Sequence, residues 1–215
     1  MINRQSYVEK LEAVQEDVLR MGTLMEEAVE KAIRALVDQD VALAKEVIRD
    51  DDVIDDMEHE IEEHCMKIIA TEQPVARDLR ILFTAMKITT DLERISDNAV
   101  NIAKITRKIG NEKHIKPLID IPRMARLAVA MVRDAVDAYV KLDVVKAYEI
   151  IDRDQAVDDL NDQVFRELLT YMMQDPRNIT QATYFIFVAK YLERIADHAT
   201  NISEWIIYIE KGEMI

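Results

Sequence analysis

Glu93 and Asp97 stand four residues apart in LERISDNAVNIA (92–103), and Glu193 and Asp197 stand four apart in LERIADHATNIS (192–203). Residues at that spacing share one face of a helix, about 5–6 Å apart at Cβ, where like charges repel by a few tenths of a kcal/mol. A self-repelling pair written twice in one chain calls for something positive above it. Asn101 and Asn201, four residues further on, add a neutral carbonyl oxygen to each stripe. Asp51 with Asp55, and Asp154 with Asp158, repeat the same device upstream. The candidate cation ligands are therefore Asp51, Asp55, Glu93, Asp97 and Asn101 in the first half, and Asp154, Asp158, Glu193, Asp197 and Asn201 in the second.

Such an oxygen-only set prefers hard cations, Mg²⁺, Mn²⁺ or Ca²⁺, while several bridging carboxylates also suit iron or zinc in multinuclear clusters. A structural Cys/His zinc site is excluded for want of ligands. His198 follows Asp197, but Asn98 stands at the matching place in the first half, which argues against an obligatory imidazole ligand. A purely local reading competes: Arg94 and Arg194 each precede the motif aspartate by three residues and can form an i,i+3 ion pair with it.

Enzymatic signatures are missing. There is no G-x-x-x-x-G-K-[ST] phosphate loop, no H-E-x-x-H and no G-x-S-x-G, and none of the four histidines has Glu three residues before it. Nothing supplies an evident nucleophile or activated base. The chain is expected to be a binding or switching module with no catalytic residue. A metal-free helical scaffold and, more remotely, a carboxylate-bridged metallohydrolase are the alternatives.

The elements that must position these groups are helices. Three glycines and four prolines in 215 residues, with 49% hydrophobic and 6% aromatic content, suit long helices and no sheet. Leu11, Val14, Val18, Met21, Met25, Val29 and Ile33 keep the three-and-four spacing of one helix face. The chain also repeats itself: Met21–Met57 aligns without a gap on Met124–Leu160 at an offset of 103, and small deletions near Pro74 and Pro176 reduce the offset to 100 at the LERI phrase. Helical runs are expected at about 6–48 with a break near Asp40, 51–72, 75–109, 122–151, 154–174 and 178–211. Asp40 and Asp143 are candidate N-caps. The fold class is all-α: two tandem antiparallel three-helix bundles, residues 1–110 and 122–215, joined by a linker at 111–121.

Composition bounds the surroundings. A lone Cys65, no apolar run of the 18 or so residues that cross a bilayer, and no signal-like start point to the reducing cytosol. A net charge of −14 repels phosphate backbones and anionic head groups, so nucleic acid and direct membrane insertion or surface binding are excluded as partners. His59, His64 and His114 read as ordinary surface residues. Tyr184, Phe185 and Phe187 read as core, and Trp205 as packing on the neighbouring bundle or a partner.

LERISDNAVNIA and YLERIADHATNISEWIIYI, with a D-x-x-x-D opening to each middle helix and a proline in the turn before each motif helix, resemble the PhoU family of phosphate-transport regulators. The likeness covers essentially the full length. It implies a cytoplasmic homodimer that restrains phosphate uptake and phosphate-starvation signalling. The partners it implies are the ATPase of a phosphate ABC transporter and a membrane sensor histidine kinase. Relatives of this kind can carry multinuclear metal clusters on these carboxylates. Many have Gly between the Ile and Asp of the motif, where this chain has Ser96 and Ala196. Asp91 is expected to lengthen the acidic stripe of the first repeat, since Tyr191 stands opposite it in the second.

Overall fold

The structure, a computed structural model, describes residues 4–214 and has no strand among them. Six long helices carry the architecture: α1 (Arg4–Asp38), α3 (Asp52–Glu72), α4 (Arg77–Ile109), α5 (Asp120–Lys141), α7 (Asp154–Gln174) and α8 (Ile179–Lys211). Two short helices, α2 (Val41–Asp50) and α6 (Val144–Ile151), follow α1 and α5. None of the described helices is long and apolar enough to cross a membrane.

The long first run of each repeat breaks by one device used twice. Gln39 and Leu142, 103 residues apart, adopt left-handed backbone with φ of 55° and 52°. The next amide, Asp40 or Asp143, donates back to the carbonyl of Ala35 or Ala138 at 2.9 Å in each case, the six-to-one bond that closes a Schellman turn. The same aspartate then caps the following helix. Asp40 accepts from the amides of Ala42 and Leu43, and Asp143 from that of Lys146.

The two repeats are not side-by-side bundles with a thin seam. α4 packs against α1, α2, α3 and α8, and α8 packs against α4, α5, α6 and α7, so the motif helices are the buried centre of the whole molecule. α1 also meets α5, and there Gly22 allows the approach: a Cβ at Gly22 would lie 3.3 Å from both γ-carbons of Val136. Leu92, Ile95, Leu192 and Ile195 are fully buried, so the apolar letters of both phrases are core. The apolar face read on α1 is core as well, Val14 through Ile33 buried and Leu11 packed at its margin.

Two readings are corrected, and the one for Trp205 holds. His114 is half-buried, with Nε2 2.9 Å from the Leu36 carbonyl and its ring edge-on to Phe185, so it pins the connection between repeats to both of them. Phe187 is 50% exposed and not core, although Phe185 is fully buried. Trp205 packs across the repeats, edge-to-face on Phe83 of α4 with centroids 5.7 Å apart.

Candidate metal centre

The start of α3 lies against the middle of α4, and the start of α7 against the middle of α8. Asp51 precedes α3 and Asp55 sits in its first turn; Asp154 opens α7. Carboxylates at a helix N-terminus face the positive end of the helix dipole, which favours their charge. Ser96 Oγ donates to Asp51 Oδ1 at 2.5 Å, which fixes the α3 start on the α4 motif.

The carboxylates of each repeat act on one another as the spacing requires. Burial, then the charges of Asp51 and Asp97, push the Asp55 carboxyl above its ordinary range. Burial raises Asp51 too, opposed by the Ser96 hydrogen bond and reinforced by Asp97. Glu93 is raised by burial, with Arg94 opposing and Asp97 adding. In the second repeat burial leads again, and the charges of Asp158, Asp197 and Glu193 help push Asp154 to about 6. Asp158 is raised by burial and by Glu193, with Lys190 opposing.

The local ion pairs differ between the repeats. Arg94 spans Glu93 at 3.3 Å and Asp97 at 3.4 Å, the expected local pairing. Arg194 makes no ion pair among the described residues; Lys190 instead lies 2.5 Å from Glu193, three residues on. One carboxylate oxygen of the second repeat, Asp154 Oδ1, is buried without a hydrogen-bond donor, and Glu193 Oε2 lies 2.5 Å from the Lys190 ammonium. For Glu193 Oε2 the Lys190 ammonium is near but only Oε1 receives an aligned bond.

Both phrases also face a common space. An open cleft of about 600 Å³ between α4 and α8 is lined by Arg94, Asp97, Asn98 and Asn101 from one repeat and Arg194, Asp197, His198 and Asn201 from the other, with Asp154 and Thr200. Asn101 and Asn201 belong to this cleft, and the amide of Asn201 donates to Asp91 at 3.4 Å. Asp91 does not lengthen the acidic stripe: it is buried, and its Oδ1 lies 2.8 Å from Nδ1 of His198 on α8. An ionised carboxylate only accepts, so Nδ1 carries the proton there. The duplication itself held a signal for this pair. Asp91 against Tyr191 and His198 against Asn98 are unmatched polar letters, and they are each other's partners.

Among the described residues, no three His, Cys, Asp or Glu side chains stand close enough together to hold an ion as they are oriented. The donor chemistry nevertheless fits a hard cation: four mutually repelling carboxylates per repeat, a buried Asp154 oxygen without a donor, and no obligatory imidazole. Side-chain rotation about fixed helices is what an ion would require. Sequence reading did not single out Ser96 and Lys190 as partners of the cluster, although Lys190 stands at the i,i+3 spacing that forms such pairs.

Known proteins resemble this chain in sequence and in fold. A PhoU domain model matches residues 18–106 and 121–206, one span on each repeat. A phosphate-specific transport system accessory protein PhoU homolog from Clostridium acetobutylicum is 42% identical over 215 residues, covering 100% of this chain and 98% of that one. One of the same description from Aquifex aeolicus is 44% identical over 206 residues, 96% of this chain and 93% of its own. The crystal structure of PhoU from Pseudomonas aeruginosa superimposes with a TM-score of 0.91 at 38% identity, covering 96% of this chain and 100% of that one. The phosphate transport system regulatory protein PhoU from Streptococcus pneumoniae gives 0.90 at 28% identity, with 97% and 99% covered. Sequence likeness and backbone likeness thus run through both repeats together, and the chain belongs to the PhoU family.

Proposed function

We propose that this chain is a regulatory accessory protein of a phosphate transport system, a cation-organised adaptor that restrains phosphate uptake and phosphate-starvation signalling. The observation that carries the cation reading is the duplicated carboxylate cluster on α3/α4 and α7/α8, with Asp154 Oδ1 buried and undonated. The regulatory reading rests on family membership and on the function in the relatives' names. The ligands are Asp51, Asp55, Glu93 and Asp97, and Asp154, Asp158, Glu193 and Asp197, with Asn101 and Asn201 at the cleft. A bound iron or zinc cluster, or Mg²⁺, Mn²⁺ or Ca²⁺, supplies positive charge that neutralises these groups. The residues themselves set two helix starts against two helix middles, so their mutual repulsion or its relief governs how firmly α3 and α7 are held. That in turn shapes the surface offered to partners, the ATPase of a phosphate ABC transporter and a sensor histidine kinase. The protein works in the cytoplasm as a homodimer, and no reaction is assigned to it.

A second reading has its own observation: among the described residues no trio of ligands is pre-assembled, which favours a metal-free scaffold whose acidic face docks on basic partner surfaces. Elemental analysis of the purified protein separates the two, repeated on Glu93→Ala/Asp97→Ala and Glu193→Ala/Asp197→Ala. Bound metal that falls in each double variant is the expected result; a protein that holds none and acquires none from Fe²⁺, Zn²⁺, Mn²⁺ or Mg²⁺ leaves the scaffold standing. Deletion of the gene should derepress phosphate-starvation reporters in phosphate-rich medium, and an unchanged reporter would count against regulation.

A further inference from the structure

Asp51 and Asp154 are equivalent by the repeat, as are Ser96 and Ala196. In the first repeat the Ser96 hydroxyl satisfies Asp51 Oδ1 at 2.5 Å. In the second, Ala196 is fully buried and has no hydroxyl, and Asp154 Oδ1 is the buried oxygen left without a donor. A cation arriving at the first cluster meets an Asp51 oxygen that already has a donor, whereas at the second it supplies the partner that Asp154 Oδ1 lacks and removes an existing desolvation penalty. The exposed ion pairs do not reverse this. Each cluster carries one such cation, Arg94 (58% exposed) on Glu93 and Asp97 and Lys190 (47% exposed) on Glu193, so giving it up costs both clusters alike.

We propose that the two clusters fill in order, the second repeat first, and that Ser96 sets the order by occupying Asp51. This rests on the cation reading above and adds a regulation to it: one repeat is loaded across a range of metal concentration in which the other still responds. The exchange of one buried hydrogen bond for an orphaned oxygen corresponds to a difference of about tenfold in affinity.

The experiment titrates the full-length, chelator-stripped protein with Mn²⁺, following free ion by electron paramagnetic resonance and heat by calorimetry. The wild type should bind in two phases about tenfold apart. Asp154→Asn should remove the tight phase and Asp51→Asn the weak one. Ser96→Ala should tighten the weak phase alone, bringing the two together, a selective change that general loosening of the fold would not produce. Ala196→Ser, which adds an atom at a buried site, is a check only if its thermal unfolding matches the wild type; it should weaken the tight phase. Loss of the weak phase in Asp154→Asn, a single phase in the wild type, or two unchanged phases in Ser96→Ala overturns the order while leaving cation binding intact. No uptake of Mn²⁺, Fe²⁺ or Zn²⁺ by the wild type overturns both the order and the cation reading.

Discussion

Asp51 and Asp154 occupy the same station in the two repeats, and their surroundings differ by one hydroxyl. Around Asp51, Ser96 donates and Arg94 spans the next two carboxylates. Around Asp154 an alanine replaces the serine, Arg194 makes no ion pair among the described residues, and Asp154 Oδ1 is buried without a donor. The backbone diverged far less: the left-handed residue, the Schellman bond and the capping aspartate recur at 39–40 and 142–143. Duplication preserved the frame that positions the carboxylates and left their hydrogen bonding free to differ. An asymmetric pair of sites can arise that way without moving a helix.

The most disruptive way to probe the comparison is to cut matching core residues. Leu92 and Leu192 are both fully buried at equivalent places on α4 and α8, so Leu92→Ala and Leu192→Ala should each lose about 2–5 kcal/mol. Because α4 and α8 pack on each other and α1 on α5, both variants should still unfold in one transition by circular dichroism in urea. Two separated transitions would mean that each repeat folds alone.

Next in size is the bond that joins the repeats through their one shared departure from symmetry. Asp91→Ala should lose about 1–3 kcal/mol by leaving His198 and Asn201 without their acceptor. A double-mutant cycle with His198→Ala should give a coupling of about 0.5–3 kcal/mol. Additive losses would reduce the contact to incidental proximity.

These cases also mark what was legible in the sequence. The all-α class, the six long runs, the breaks at Asp40 and Asp143 and the core letters of LERI follow from helical periodicity and from turn chemistry, which act within a few residues. Duplication singled out the carboxylates, and the structure brings them near enough to act on one another. What was not legible depends on the angle at which α4 meets α8. No local pattern says that Asp91 turns away from its own stripe to His198, that both phrases line one cleft, or that His114 reaches back to Leu36. The Ser96 hydroxyl was noticed only as a helix former, since its partner lies 45 residues away across α3.

The pH dependence distinguishes the two clusters more finely. The folded Asp154 carboxyl titrates at about 6, above its ordinary 3.8, because burial and its acidic neighbours disfavour the charge. A carboxyl raised in the folded state binds more protons there than when unfolded, so its contribution is fully present below about pH 4 and is lost as pH rises through 6. Metal-free protein should therefore gain stability on acidification from pH 7.5 to 5. Between pH 7.5 and 5 about one unit of the shift is realised, worth about 1.4 kcal/mol, and solvent screening of a partly exposed group cuts this to below about 1 kcal/mol. Asp154→Asn should flatten that slope in chelator-treated protein, and Asp51→Asn should flatten it less, since Ser96 already offsets part of the burial. Equal flattening by both would erase the electrostatic difference between the repeats.

A comparably small effect concerns the surface cations. Arg94→Ala removes pairs at 3.3 and 3.4 Å, and Lys190→Ala removes one at 2.5 Å, but all involve exposed cationic side chains. Each should change metal-free stability by about 0.5–1 kcal/mol in thermal melts, because the cations are solvated even though Glu93 and Glu193 are largely covered. The informative comparison is with salt: the small loss in either variant should shrink as ionic strength rises from 0.01 to 1 M, where screening shortens from about 30 to 3 Å. A loss of several kcal/mol in Lys190→Ala would show instead that the ammonium satisfies Glu193 as fully as Ser96 satisfies Asp51, and the repeats would then differ in the identity of their donors and not in whether they have them.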